Sequence, residues 1–250
     1  MNRAGNKVIG EKNLEDIIAL TPVQEGMLYH YLKNPGSEVY VEQLSLEISG
    51  RVELQKLEAA WNTVVEANEM LRTRYRWENL EKPVQTVMKT HKIHLQNHDL
   101  TGENPGEKKE RLEALKARER KKGFDLRQVP HRVMVVKMQE DRYVMVNTHH
   151  HILYDGWSTG IILKELFREY REISRGNAAK ETKRHPGKTK FKEYVKWIRQ
   201  QDPKEQERYY LYIYHHCLDY WKEQGVAPRD EKELIRYCNN QGLANADILD

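Results

Sequence analysis

The chain has 250 residues, 38% hydrophobic and 32% charged, with a mean hydropathy of −0.88, so it holds one large domain or two small ones and is not wholly disordered. No apolar run approaches the roughly 20 residues that cross a bilayer, the opening MNRAGNKVIGEKNLED has no secretory-type apolar stretch, and Cys217 and Cys238 cannot build a disulfide framework or a CxxC metal site. A cytoplasmic protein is therefore expected, and the net charge of +4 is too evenly mixed for a nucleic-acid surface: the Lys/Arg-rich stretch 107–122 is interleaved with Glu107, Glu110, Glu113 and Glu119, as on a solvated helix face.

Residues 1–13 read as a polar leader. Thr21 suits an N-cap, Pro22 the first helical position and Gln24 the return bond of a capping box. Val23, Met27, Leu28 and Tyr31 then form one apolar stripe, ended by Asn34-Pro35-Gly36. Val39–Ser49 alternates Leu44, Leu46 and Ile48 with Ser45, Glu47 and Ser49, the period of a strand. Leu54, Leu57, Trp61, Val64 and Val65 recur at helical spacing. Leu71–Trp77 and Pro83–Met88 read as strands, 107–122 as a helix closed by Gly123, and Arg132–Met138 with Arg142–His149 as a hairpin. A helix follows over Ser158–Glu172. Ser174–Lys190 is polar and basic, a linker, and residues 191–224 return to helical character. Strands mixed with crossover helices predict an α/β class, a mixed sheet flanked by helices.

The segment Asn147-Thr-His-His-His-Ile-Leu-Tyr-Asp-Gly-Trp-Ser158 sits between an apolar strand and a helix, where catalytic groups often project. On a continued strand His149 and His151 share one face and His150 takes the other. Three readings compete. Three histidines and an aspartate could hold a metal, but neighbouring histidines point apart and a second ligand cluster is missing. The histidines could pack beneath a turn, with Asp155 capping the next helix. Or one histidine could do acid–base work, since an imidazole titrates near neutrality.

His150-His151-Ile-Leu-Tyr-Asp155-Gly156 matches the pattern HHxxxDG and continues Trp157-Ser158. It resembles the signature of condensation domains of nonribosomal peptide synthetases, whose HxxxD core is shared with chloramphenicol acetyltransferase-like acyltransferases. Other segments agree in order. Leu20-Thr-Pro-Val-Gln24-Glu-Gly-Met27-Leu28 is similar to the family's opening motif. Asn68-Glu69-Met70-Leu71-Arg72-Thr73 is similar to RHExLRT, with Ala67 and Asn68 in place of Arg-His. Gly123-Phe124-Asp125-Leu126 and Phe191-Lys-Glu-Tyr194-Val-Lys-Trp197 resemble two further motifs. The later family motifs have no counterpart here.

The resemblance implies a chloramphenicol acetyltransferase-like lobe over 14–175, a linker over 176–190, and a helical C-terminal extension over 191–250 that stands for a truncated or divergent second lobe. It implies amide-bond formation: the amine of an acceptor aminoacyl thioester attacks a donor acyl or peptidyl thioester. Both substrates arrive on the phosphopantetheine arms of donor and acceptor peptidyl carrier proteins, alongside other synthetase modules. His151 becomes the functional histidine facing a cleft, with His150 in support and Gly156 allowing close approach of substrate. Asp155 is expected to pair with Arg72 as structural support. No directly bound cofactor, no metal, no nucleic acid and no membrane are expected. Alternatives are a non-catalytic carrier-protein-binding remnant and a single-lobe acyltransferase that completes its site by self-association.

Overall fold

A computed structural model describes residues 12–177, 188–202 and 204. Most of the leader, most of the linker, both cysteines and the extension beyond residue 204 lie outside the described residues. The chain divides into two units, Met1–Val195 and Lys196–Asp250. The first holds both sheets. Of the second, the described residues hold the last turns of one helix.

The elements, in chain order, are β1 (Leu14–Ala19), α1 (Pro22–Lys33), β2 (Val41–Ser49), α2 (Leu54–Ala67), a 3-10 turn (Glu69–Arg72), β3 (Thr73–Arg76), β4 (Val84–Met88), β5 (Gln96–Asp99), α3 (Pro105–Lys121), β6 (His131–Gln139), β7 (Arg142–His150), α4 (Gly156–Ser174) and α5 (Phe191–Gln200). β1, β4 and β3 form a three-stranded antiparallel sheet in that order. β2, β7, β6 and β5 form a mixed four-stranded sheet in which only β5 runs parallel to its neighbour.

Local chemistry sets the helix starts. The Thr21 hydroxyl accepts the Gln24 N–H at 3.2 Å and the Gln24 side chain accepts the Thr21 N–H at 3.0 Å, the predicted capping box. α3 begins two residues before the predicted 107, because Asn104 and Glu107 make a second capping box around Pro105. Gly123 follows α3 at φ +57, a left-handed conformation that an L side chain adopts only with strain. The predicted stripe of α1 is only partly right: Met27 and Leu28 are buried, whereas Val23 is 59% exposed.

The main core lies between the four-stranded sheet and helices α2 and α4. Leu57, Trp61, Val64 and Val65 of α2 and Ile162 and Leu166 of α4 pack against Val133, Val135, Tyr143 and Met145. The other face of the sheet, with Met134, Val136, Val144 and Val146, packs on Leu100 and on Leu115 of α3. β7 is thus buried on both faces and hydrogen-bonded on both edges. Its end is a rigid platform, and the histidine segment grows from it.

β1 and β5 appear where no strand was expected, and Leu71–Arg72 lies in a 3-10 turn rather than a strand. In that turn the Thr73 hydroxyl donates to the Glu69 carbonyl at 2.7 Å, and Leu71 is fully buried.

Candidate active site

β7 delivers His149 and His150 at its last two positions, opposite Glu42 and Val41 of β2. At the first residue of the turn that follows, the His151 N–H donates to the Tyr40 carbonyl at 2.8 Å. Tyr40 holds φ +68, a region unfavourable to a bulky residue, so the backbone that receives His151 is itself strained. The Leu153 N–H donates to the His150 carbonyl at 3.0 Å, and the Ile152 N–H donates to His150 Nδ1 at 3.1 Å.

That last bond fixes His150 chemically. A ring nitrogen that accepts has no proton, so the proton of the neutral ring sits on Nε2. Burial, reinforced by the neighbouring His151 and His149, pushes the His150 pKa down to about 4. His150 is a neutral loop-former at ordinary pH. The loop is also held from below: the Ile152 carbonyl accepts the Tyr75 hydroxyl at 2.8 Å and the Gln24 amide at 3.0 Å. Gln24 therefore caps α1 and anchors the HHxxxDG loop with the same side chain.

His149, near the end of β7, and His151, just past it, both turn to Glu42. Glu42 Oε1 lies 2.8 Å from His151 Nδ1, and Oε2 lies 3.3 Å from His149 Nε2. The polar contact with His149, despite partial burial, holds the Glu42 carboxyl below its usual range. His149 is 2% exposed and stacks on Tyr154, ring centroids 3.9 Å apart and 15° from parallel. The Tyr154 hydroxyl receives Asn147 Nδ2 at 3.1 Å, and Asn147 Oδ1 lies 2.5 Å from His131 Nε2. Two polar contacts and one ring stack thus link His131, Asn147, Tyr154 and His149, and Glu42 bridges His149 to His151, whose side chain keeps 19% of its surface.

Glu42 escapes a reading of the sequence for motifs. It continues the register of Leu44, Leu46 and Ile48, so a carboxylate stands on the apolar face of its strand. That charge out of pattern is the signal that could have found it. The ligating atoms of Glu42, His149 and His151 all lie within 4.8 Å of one another. The linear pattern does not include this carboxylate; the β2–β7 register brings it beside two of the three histidines.

The expected Asp155–Arg72 pair does not form. The Asp155 carboxylate accepts the Ser158 N–H at 2.9 Å and N-caps α4, which starts at Gly156 rather than Ser158. Although partial burial opposes its charge, this bond holds the Asp155 carboxyl below its usual range. Arg72 is buried and bonds instead to Glu15 and to the Met88 carbonyl. Glu15 belongs to β1, the strand that was not foreseen, and it takes the guanidinium. Gly156 has helical backbone, and a Cβ built there would meet nothing within 4 Å, so the space beside the loop entrance is open.

This reassignment predicts unequal costs. Asp155→Ala should lower stability by about 1 kcal/mol, the usual loss of a cap, and Asp155→Asn should lower it far less because an amide oxygen also caps. Arg72→Ala removes buried charge-assisted bonds and should cost roughly 1.5–3 kcal/mol. Urea denaturation of the three variants checks the order. A cost for Asp155→Ala as large as for Arg72→Ala would restore the buried-pair reading.

The sequence model of the condensation-domain family matches residues 14–232. Surfactin synthase subunit 3 of Bacillus subtilis (strain 168) is 34% identical over 200 residues, 79% of this chain and 15% of that subunit. Bacitracin synthase 1 of Bacillus licheniformis is 34% identical over 221 residues, 87% of this chain and 4% of that one. Among solved structures, the first condensation domain of the CDA synthetase superposes with a TM-score of 0.66 at 19% identity, covering 84% of this chain and 49% of that one. The starter condensation domain of rhizomide synthetase RzmA gives 0.63 at 17%, covering 84% and 50%. The chain therefore spans about half the length of these solved condensation domains, and the fold is theirs. Since the match runs from β1 through the HHxxxDG loop and beyond α5, the chain belongs to the condensation-domain family.

Proposed function

We propose that this lobe carries the histidine half of a peptide-condensing site. The amine of an acceptor aminoacyl thioester attacks the carbonyl carbon of a donor acyl or peptidyl thioester. The carbon–sulfur bond breaks, the carrier thiol leaves, and an amide remains. Both thioesters ride on phosphopantetheine arms of carrier proteins, so the lobe itself needs no bound cofactor. The donor is already activated, so the reaction needs no protein nucleophile.

The observation that carries this reading is His151: it sits at the end of a rigid strand, is partly exposed, and has Nδ1 turned to a carboxylate. In this reading Glu42 keeps the ring proton on Nδ1 and leaves the Nε2 lone pair to orient the attacking amine and take its proton. The proton then leaves with the thiol. His150 builds the loop, Asp155 starts α4, and Gly156 leaves the approach open. Arg72 supports from a distance by tying the 3-10 turn to β1 and β4.

Trp157 and Ile161 stand one turn apart on α4 beside this loop, 88% and 59% exposed. A large apolar pair at that place supports a site completed by a second surface. Carrier positioning contributes on the order of 7–11 kcal/mol when two reactants are held in register, and one lobe forgoes most of it. The 250-residue chain, added to loaded donor and acceptor carrier proteins, should therefore give little dipeptidyl-carrier product by mass spectrometry. Robust turnover by a demonstrated monomer would overturn the half-site reading, and turnover confined to an oligomer would favour a site shared between copies.

A further inference from the structure

We propose that Glu42, His149 and His151 form a binding site for one divalent transition-metal ion of the zinc class. The site follows from strand register. Glu42 on β2 stands opposite His149 on β7, and His151, one residue past the end of β7, turns its Nδ1 to the same carboxylate. Donor atoms bound to a tetrahedral zinc at about 2.0–2.2 Å lie roughly 3.4 Å apart. Here Glu42 Oε1 is 2.8 Å from His151 Nδ1 and Oε2 is 3.3 Å from His149 Nε2. Small side-chain adjustments bring all three to bonding distance.

His149 supplies the independent indication. Its imidazole is almost wholly buried, and neither ring nitrogen makes a well-directed hydrogen bond, although Nε2 faces the carboxylate. A buried imidazole so placed is held ready as a ligand, with its ring plane fixed by the stack on Tyr154. Entry is from the Glu42 side, where that side chain keeps 41% of its surface. Two imidazoles and one carboxylate select zinc, cobalt, nickel or copper over magnesium and calcium, which prefer all-oxygen shells. Three protein ligands also leave a fourth position for water. His150 is outside the set, because its Nδ1 is engaged by the Ile152 N–H.

The site has a consequence that rests on the condensation reading. A neutral imidazole that binds metal through Nδ1 carries its proton on Nε2. That is the opposite tautomer from the one that meets the amine, so a metal held here takes His151 out of the reaction.

The test uses the full chain titrated with cobalt(II), read by visible absorption, and with zinc(II), read by calorimetry. One metal per chain is expected, with affinity weakened about tenfold or more in Glu42→Gln and in His149→Ala. Glu42→Gln keeps the size of a partly exposed side chain, so it reports even if His149→Ala fails to fold. Nitrogen-15 spectra of the zinc-bound chain should place the His151 proton on Nε2. No saturable binding, or equal affinity in Glu42→Gln, would overturn the site. A proton retained on Nδ1 of His151 with zinc bound would overturn its ligation by that nitrogen. None of these readouts involves turnover, so failure of the metal site and failure of the condensation reading are distinguishable.

Discussion

Acidification from pH 6.5 to 4.5 is expected to cost the lobe about 2 kcal/mol through His131 alone, because a proton costs at most 1.36 kcal/mol per pH unit and half of the unfolded chains already carry it at pH 6.5. Burial pushes the His131 pKa down to about 3, and the hydrogen bond to Asn147 offsets only part of this. The ring is neutral when folded, while the unfolded chain takes its proton near pH 6.5. The unfolded state therefore binds more protons across that interval. Stability is fully present above pH 6.5, falls as the pH drops, and levels off below about 3, for a total on the order of 5 kcal/mol. The carboxyls held low, such as Glu15 and Glu42, add their own losses only below about pH 4.5, so the upper interval belongs to the histidines. Urea midpoints at pH 7, 5.5 and 4.5 check this against His131→Gln, whose amide can still donate to Asn147 but does not titrate. The variant should be less stable at pH 7 and show a flatter pH slope. Equal slopes would mean that His131 is not held neutral in the folded lobe.

What can be read from sequence follows from the range of the forces involved. Thr21, Pro22 and Gln24 act within one helical turn, and the capping box is legible as soon as they are read together. The β6–β7 hairpin and α2 are legible because their apolar periods are strong. β5 is not: its residues Gln-Asn-His-Asp have no apolar period, and they form a strand because the free edge of β6 offers parallel partners. β1 hides in a stretch that reads as leader and approach to the first helix. Its absence from the linear reading has a chemical consequence, since Glu15 of β1 is what binds Arg72 and leaves Asp155 to its capping role. The HHxxxDG loop is legible as a linear pattern, whereas the turn that begins at His151, one residue past β7, is not. Glu42 is invisible to linear reading because only the β2–β7 register brings it to them. The second role of Gln24, on the Ile152 carbonyl, is likewise tertiary.

If His151, held by Glu42, acts on the acceptor amine, its removal should abolish chemistry and spare the fold. His151 begins the loop and is not fully buried, so His151→Ala should leave the urea midpoint close to wild type. General base participation contributes about 10²–10⁴-fold. The measurement is dipeptidyl-carrier formation by the chain completed with the C-terminal lobe of a condensation domain, with donor and acceptor carriers loaded and product followed by mass spectrometry. Product is expected from the completed site, with a loss on that scale in His151→Ala and impairment in Glu42→Ala. Product formed at the same rate by wild type and His151→Ala would contradict the role assigned to this histidine.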